Sequence, residues 1–228
     1  MIGIIGAMES ETAAIIRSME QAEEQVISGV RFVRGNWCGK EVVVATAGVG
    51  KVFAALCTEA MILTYHPDCI INTGVAGALD SALEIMDVVI AEQVVQHDMD
   101  TSPLGDPIGM ISGINKVELP ADEKLIKAFA QAAETVGAKA ICGVVASGDQ
   151  FIAEQQKKDW IRSRFNASCC EMEGASIGHV CYVNNVPFAV LRAISDGASE
   201  EAVMDFPTFV QKAAKQSIEI LEQAIKNR

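Results

Sequence analysis

The chain has 228 residues, half of them hydrophobic and about a fifth charged, so it can bury a substantial core. Lys and Arg number 18 and Asp and Glu number 30, and this net charge of −12 (18 − 30) disfavours a nucleic-acid backbone or an anionic membrane as partner. The first residues lack the basic segment of a signal peptide, and no apolar run is long enough to span a bilayer. We therefore expect a cytoplasmic protein.

Runs rich in Val and Ile predict β-strands along the whole chain. Several show no polar alternation, which is typical of strands that are covered on both faces. The predicted strands are Met1–Gly6, Glu41–Ala47, Cys69–Thr73, Asp87–Val95, Ala140–Ala146, Ser168–Met172 and Pro187–Ser195.

Helical patterns lie between some of these strands. The predicted helices are Lys51–Tyr65, Ala121–Val136, Gly174–Asn184 and a C-terminal helix that runs from Phe206 to Ile225 with Asp205 as its N-cap. The alternation predicts one α/β domain over residues 1–228 with a largely parallel or mixed sheet. The segment Asp98–Val117 fits neither pattern, and a loop of that length in a compact domain is more often functional than inert.

The seven cysteines are odd in number, form no CxxC pair and lie mostly inside apolar runs. We interpret them as reduced core residues. The glycine segments TAGVGK and NTGVAGAL match neither the dinucleotide-binding nor the phosphate-loop pattern. They would permit either a close approach of the backbone to a ligand or a plain tight turn. The run HDMD, residues 97–100, is a weak metal candidate because no second cluster has matching spacing.

Acidic residues follow apolar strand-like runs at three distant points, at Glu11, Glu173 and Asp196. The exit of a buried strand is where an α/β enzyme holds an acid or a base. Ordinary roles compete with this hypothesis: Glu9 and Glu11 could both complement a helix dipole, and Asp196 precedes Gly197 and could belong to a turn.

Two further features of these segments leave alternatives open. Glu171 and Glu173 bracket Met172, so both face one side if the strand continues, whereas both are solvated if the strand stops at Cys170. Arg192 lies inside an apolar strand and needs a carboxylate or a ligand, and an ion pair with Glu173 would be a purely structural solution.

Taken together, these segments resemble the 5′-methylthioadenosine/S-adenosylhomocysteine nucleosidases of the nucleoside phosphorylase superfamily. The match runs in order from GIIGAMESE through AGVGKVFAA, CIINTGVAGAL, HDMD, SGDQFI and CCEMEGASIGHVC to LRAISD, so it covers almost the whole chain. The resemblance implies a three-layer α/β/α sandwich with a central mixed, largely parallel sheet. It also implies a homodimer that hydrolyses the N-glycosidic bond of a small adenosine thioether without cofactor or metal.

The resemblance assigns roles to individual residues. Asp196 corresponds to the acid that protonates adenine N7, and Glu11 to the base that activates water. Glu173, with Arg192 nearby, corresponds to the anchor of the ribose hydroxyls. The other predicted substrate contacts are Met8, Val49, Val75, Phe151, Ile152, Met172, Ser195 and Phe206. An acid that works near neutral pH needs a raised pKa, which an apolar pocket can supply.

The irregular segment resembles the part that crosses the dimer interface, where residues 101–112 complete the partner's pocket for the 5′ substituent. Thr101 and Leu104 are the predicted contacts there, and relatives often carry more aromatic residues at such positions. Preference among methylthioadenosine, S-adenosylhomocysteine, aminodeoxyfutalosine and 5′-deoxyadenosine therefore stays open.

Two other functions compete with hydrolysis. A purine nucleoside phosphorylase needs cations and hydroxyls for phosphate, but the segment GAMESE has no arginine, and Asn72 and Val75 stand where that class has arginine and a hydroxyl. A non-catalytic adenosine sensor is the other alternative, and the presence of all three acids disfavours it.

Overall fold

A computed structural model describes residues 1–197 and 202–228, with only the backbone described for residues 202–205. The strands are β1 Ile2–Gly6, β2 Glu20–Ile27, β3 Val30–Trp37, β4 Lys40–Thr46, β5 Cys69–Ala78, β6 Val88–Gln96, β7 Glu118–Pro120, β8 Ala140–Ser147, β9 Ala167–Glu171 and β10 Phe188–Asp196. The helices are α1 Glu9–Ser18, α2 Lys51–Tyr65, α3 Glu123–Thr135, α4 Gln155–Phe165, α5 Gly174–Asn184 and α6 Ala202–Lys226, with a 3₁₀ turn at Ser102–Leu104.

The strands form one mixed sheet that curls back on itself. β5 lies between β1 and β10 and runs parallel to both, while β6, β8 and β9 form a second parallel group. Antiparallel pairings of β10 with β6 and of β5 with β9 join the two groups. Asp196 pairs with Gly77, and Gly77 with Cys170, so the ends of β10, β5 and β9 meet at one place.

Helices cover both faces of this sheet, which confirms the predicted three-layer α/β/α class. One apolar cluster joins the sheet to α2 and α5, a second joins it to α1, α3 and α6, and a third, smaller cluster packs α4 on β8 and β9. The predicted bounds of α2 and α5 match the structure, because both helices are apolar and end before turn residues.

Other boundaries differ from the prediction for physical reasons. β5 continues through its glycines to Ala78 rather than ending at Thr73. The hairpin of β2 and β3 was not predicted, because nearly every β2 side chain is exposed and the strand is rich in Glu. Helix α4 was not predicted, because its sequence is mostly polar and lacks a clear apolar face.

The start of the C-terminal helix was also predicted wrongly. The helix begins at Ala202 among the described residues, not at Phe206, and it contains Pro207. A helix that starts at Phe206 would have this proline in its first turn, where the missing N–H costs nothing. The structure instead places it one turn further into the helix. The side chain of Asp205, predicted as the N-cap, lies outside the described residues.

The cysteines of the described chain are all free thiols, most of them buried in the core. No helix in the described ranges combines the length and the apolar character needed to cross a membrane.

Candidate active site

A cavity of about 290 Å³ opens where β1, β5, β9 and β10 end. Ligands of open α/β sheets bind at the carboxyl ends of the strands, so the position fits a substrate site. The described lining residues are Ala7, Met8, Glu11, Val49, Val75, Ala76, Gly77, Gln150, Phe151, Ile152, Cys170, Glu171, Met172, Glu173, Ser195, Asp196 and Phe206.

Glu11 lies in the first turn of α1, directly after β1, and its side chain is buried. One carboxylate oxygen accepts hydrogen bonds from the amides of Ala7 at 2.7 Å and Met8 at 3.0 Å, and the other accepts from Val75 at 3.2 Å. Burial raises the pKa of Glu11, and the charge of Arg192 and the three amides only partly offset this effect. Such a carboxylate is held in place and can take a proton, which a mere helix-dipole role does not require.

The glycines of β5 make room for two of the acids. A Cβ atom on Gly74 would lie 2.6 Å from a Glu11 carboxylate oxygen, and one on Gly77 would lie 2.6 Å from Asp196 Oδ2. Gly74 and Gly77 therefore lie within a strand rather than in a tight turn, and the groups that approach them closely are carboxylates of the protein itself.

Arg192 is buried behind the cavity wall and is bound by Glu171, not by Glu173. Its Nε donates to Glu171 Oε2 at 3.1 Å, and its terminal nitrogen bonds both Glu171 and Asn72. The possible ion pair with Glu173 was therefore wrong. The strand ends at Glu171, and it is this carboxylate that forms the ion pair with the arginine. Burial acts to raise the pKa of Glu171, but the Arg192 charge and the hydrogen bonds lower it overall.

Glu173 stands at the N-cap of α5 and is buried, so neither the continued strand nor the solvated alternative describes it. Its Oε1 accepts a hydrogen bond from the Gly50 amide at 2.8 Å, and its own amide donates to Glu171 at 3.1 Å. Burial and the nearby Glu171 charge raise the pKa of Glu173 to about 7. This carboxyl can therefore change protonation state near neutral pH.

Asp196 ends β10, is buried and lines the cavity. Ser195 donates a hydrogen bond to Asp196 Oδ1 at 2.8 Å, which fixes the carboxyl group. Sequence reasoning missed the neighbouring Lys158, whose buried ammonium donates to the Gly197 carbonyl at 2.8 Å. No signal in the mostly polar sequence of α4 marks this lysine as buried.

An apolar rim, formed by Val49, Phe151 and Phe206, flanks the entrance. The rings of Phe151 and Phe206 meet edge to face, with centroids 5.6 Å apart and planes at 81°. Phe151 is 50% exposed, so one side of its ring is open to a flat ligand.

The structure brings together most predicted contacts but not all of them. Met8, Val75, Ile152, Met172 and Ser195 line the cavity together with the acids and the rim. Thr101 and Leu104 are not among the described lining residues of the same chain, and Leu104 is 84% exposed. Sequence reasoning assigned no binding role to Gln150 or Cys170, which also line it.

Comparison with known proteins identifies relatives that match almost the whole length of the chain. A family model described as the phosphorylase superfamily matches residues 1–226. A 5′-methylthioadenosine/S-adenosylhomocysteine nucleosidase of Shewanella pealeana is 41% identical over 228 residues, covering 97% of this chain and 99% of the relative.

Two solved structures are also similar. The nucleosidase of that name from Neisseria meningitidis, in complex with methylthio-immucillin-A, has a TM-score of 0.96 and 34% identity, covering 100% of this chain and 99% of that one. The futalosine hydrolase of Helicobacter pylori strain 26695 has a TM-score of 0.95 and 38% identity, covering 100% and 97%.

The curled mixed sheet and the carboxylate-lined cavity define a protein of the phosphorylase superfamily. Within that superfamily, the chain belongs to the family of 5′-methylthioadenosine/S-adenosylhomocysteine nucleosidases, which confirms the resemblance seen in the sequence.

Proposed function

We propose that this protein hydrolyses the N-glycosidic bond of 5′-methylthioadenosine and S-adenosylhomocysteine, releasing adenine and the 5-substituted ribose. The observation that carries the proposal is the placement of Glu11, Glu173 and Asp196 around one cavity with an aromatic rim. Acid, base and hydroxyl acceptor are the groups that this hydrolysis needs, and a flat apolar surface suits a purine.

The acid step falls to Asp196. Adenine leaves poorly as an anion, so the Asp196 carboxyl donates its proton to N7 while the bond from the ribose C1′ to N9 breaks. The bonding electrons go to the purine, and C1′ acquires oxocarbenium character, as in glycoside hydrolysis. Ser195 keeps the Asp196 carboxyl oriented through its 2.8 Å hydrogen bond.

The base step falls to Glu11. Water attacks C1′ from the side opposite the purine, and Glu11 takes one of its protons. Three backbone amides hold the Glu11 carboxylate in place, while its raised pKa makes it a better base than an exposed glutamate. Glu173 accepts hydrogen bonds from the ribose hydroxyls, and Met172 packs on the sugar.

Water rather than phosphate is the proposed nucleophile, although the superfamily is named for phosphorylases. Among the lining residues that the structure describes, none carries a positive charge. The guanidinium of Arg192 is already bound by Glu171 and Asn72 behind the wall. A phosphate ion would meet carboxylates, which repel it.

A second substrate class follows from one of the similar structures. The futalosine hydrolase of Helicobacter pylori is as similar in fold to this chain as the nucleosidase structures are. Among the substrates that the sequence left open, aminodeoxyfutalosine is related by name to futalosine and is the second candidate. Its hydrolysis would use the same three acids, but its 5′ substituent is larger than that of methylthioadenosine.

The proposed active form is a homodimer in which residues 101–112 complete the partner's pocket. Two features support it: α2 presents an exposed apolar face that includes Val52, Phe53 and Leu63, and Leu104 projects from the segment that carries it. Sedimentation equilibrium at assay concentration should give twice the mass of the chain, whereas a monomer with full activity would contradict the shared pocket.

The deciding experiment measures adenine release from methylthioadenosine by purified protein, with and without phosphate and without added metal. We expect release that is independent of phosphate. Phosphate dependence with ribose 1-phosphate as product would instead establish a phosphorylase, and tight binding without release would establish a sensor. Comparing kcat/KM for methylthioadenosine, S-adenosylhomocysteine and aminodeoxyfutalosine ranks the substrates, and negligible cleavage of methylthioadenosine would reject it as a substrate.

A further inference from the structure

Helix α2 begins beside the candidate site but lacks a cap of its own. Its N-cap is Gly50, with φ of 102°, and neither a side-chain cap nor an acidic residue in the first turn satisfies its amides. Helix N-termini leave such amides unpaired unless a side chain or ligand accepts from them. Two carboxylates from distant parts of the chain fill this role.

The first carboxylate is that of Glu173, which accepts from the Gly50 amide at 2.8 Å. The second is that of Asp149, whose Oδ1 accepts from the next amide, that of Lys51, at 2.7 Å. Glu173 is thus held by the same helix end that Asp149 caps. Asp149 is a member of the SGDQFI segment but does not itself line the cavity.

Asp98 completes the arrangement from the end of β6. Its Oδ2 accepts from the Asp149 amide at 2.9 Å, and its Oδ1 pairs with the Lys51 ammonium at 2.6 Å. Burial acts to raise the pKa of Asp98, but the Lys51 hydrogen bond and the Asp149 amide lower it overall, so the ion pair is maintained at neutral pH. Asp98, Lys51 and Asp149 therefore form a closed ring of contacts, here called the α2 clamp.

The α2 clamp leaves little freedom at Gly50. A Cβ atom at that position would lie 3.0 Å from Asp149 Oδ1, and Ser176 of α5 donates to the Lys51 carbonyl at 2.7 Å. The direction of the Gly50 N–H is thereby fixed. Because Glu173 Oε1 accepts from this N–H, the orientation of the other Glu173 carboxylate oxygen, which can accept from a ligand, is fixed as well. The clamp also gives a structural role to Asp98, one of the two acids of the HDMD run.

We propose that Asp149 and Asp98 are positioning residues for substrate binding, acting on the ribose hydroxyls through Gly50 and Glu173. The inference rests on the proposed function, since it takes Glu173 as the ribose anchor. Loss of the Asp149 acceptor frees the start of α2, and the Glu173 carboxylate then loses its fixed orientation. Asp149→Asn keeps an acceptor oxygen at the same place and so retains the arrangement.

The test is a double-mutant cycle on kcat/KM for methylthioadenosine, using Asp149→Ala, Glu173→Gln and the double variant. We expect Asp149→Ala to lower kcat/KM about five- to tenfold, which corresponds to the loss of one helix cap. We expect Asp149→Asn to stay within about twofold of the parent. In the Glu173→Gln background, Asp149→Ala should have almost no further effect, because the residue through which it acts is already altered.

Controls separate this role from a general loss of stability. Asp159→Ala removes an exposed carboxylate of α4 that accepts only a local hydrogen bond from Gln155, and it should change nothing. Asp98→Asn provides a milder second variant should Asp149→Ala fail to fold, and its effect should likewise disappear in the Glu173→Gln background.

The outcomes are distinguishable. Equal losses in both backgrounds, or no loss for either clamp variant, would overturn the inference while adenine release by the parent protein upholds the proposed function. A parent protein that releases no adenine would overturn the proposed function and, with it, this inference.

Discussion

The two ends of the cavity are built in opposite ways. The carboxylate floor, formed by Glu11, Glu171, Glu173 and Asp196 with Arg192 behind it, is buried, and its groups are fixed by backbone amides, by Ser195 and by one another. The apolar rim of Val49, Phe151 and Phe206 is partly exposed, and its two rings meet edge to face. We therefore expect the floor to be preorganised for charge that develops during the reaction and the rim to adapt to a ligand.

The most severe test of this contrast removes the reacting protons. We expect Asp196→Asn and Glu11→Gln each to lower kcat by about 10²–10⁴-fold, because general acid and base catalysis is typically worth that much. Adenine release under single-turnover conditions measures the effect. Asp159→Asn on the exposed face of α4 is the control, with unchanged turnover expected. Near-parental turnover in either site variant would refute the role of that residue.

The next test removes one partner of the buried ion pair in the floor. Glu171→Ala leaves the Arg192 guanidinium buried without its carboxylate, and removing one partner of a buried ion pair costs about 3–5 kcal/mol. Urea unfolding should show a loss of that size. Glu41→Ala, which breaks the exposed pair with Arg34, should cost at most about 1 kcal/mol. Similar small losses for both variants would show that the floor is not rigid.

The same contrast explains how much the sequence could predict. Apolar runs located β1, β10, α2 and α5 well, because buried elements carry a strong hydrophobic pattern. The hairpin strand β2 lacks that pattern, since its exposed side chains meet only water and β3. Glu11, Glu173 and Asp196 could be predicted to lie near one another because each follows an apolar strand-like run, and all three line the cavity.

Partners within the floor could not be read from the sequence. Glu171 and Glu173 are two residues apart and chemically equal, and only the end of β9 at Glu171 decides which of them meets Arg192. Asn72 joins that group from β5, far away along the chain. The cap that Asp149 supplies to α2 likewise depends on distant loops meeting.

The pH dependence of stability sharpens the description of the floor at Glu173. Its pKa in the folded protein is about 7, above the ordinary 4.5, so the native state binds more protons than the unfolded chain between these values. Stability from this group is therefore present below about pH 4.5 and is lost as the pH rises through about 7.

Glu173→Gln cannot ionise and removes this dependence. We expect the free energy of unfolding of the variant, relative to that of the parent protein, to increase by up to about 3 kcal/mol between pH 5 and pH 8, as measured by urea unfolding. Glu23→Gln on the exposed edge strand β2 is the control and should follow the parent at both values. An unchanged difference between Glu173→Gln and the parent across this range would mean that Glu173 stays ionised in the folded protein.

The smallest expected effect belongs to the rim. Phe151→Ala removes the ring proposed to stack on adenine, and stacking of a base on an aromatic side chain is worth about 1–3 kcal/mol, so KM should rise about tenfold or more. The free energy of unfolding should hardly change, because the ring is already 50% exposed. Phe151→Leu keeps an apolar contact without a flat face, so its KM should lie between that of the parent protein and that of Phe151→Ala. A Phe151→Ala variant that lost stability but kept its KM would show that the ring packs in the core and does not contact the substrate. The proposed contrast between floor and rim would then be wrong for the rim.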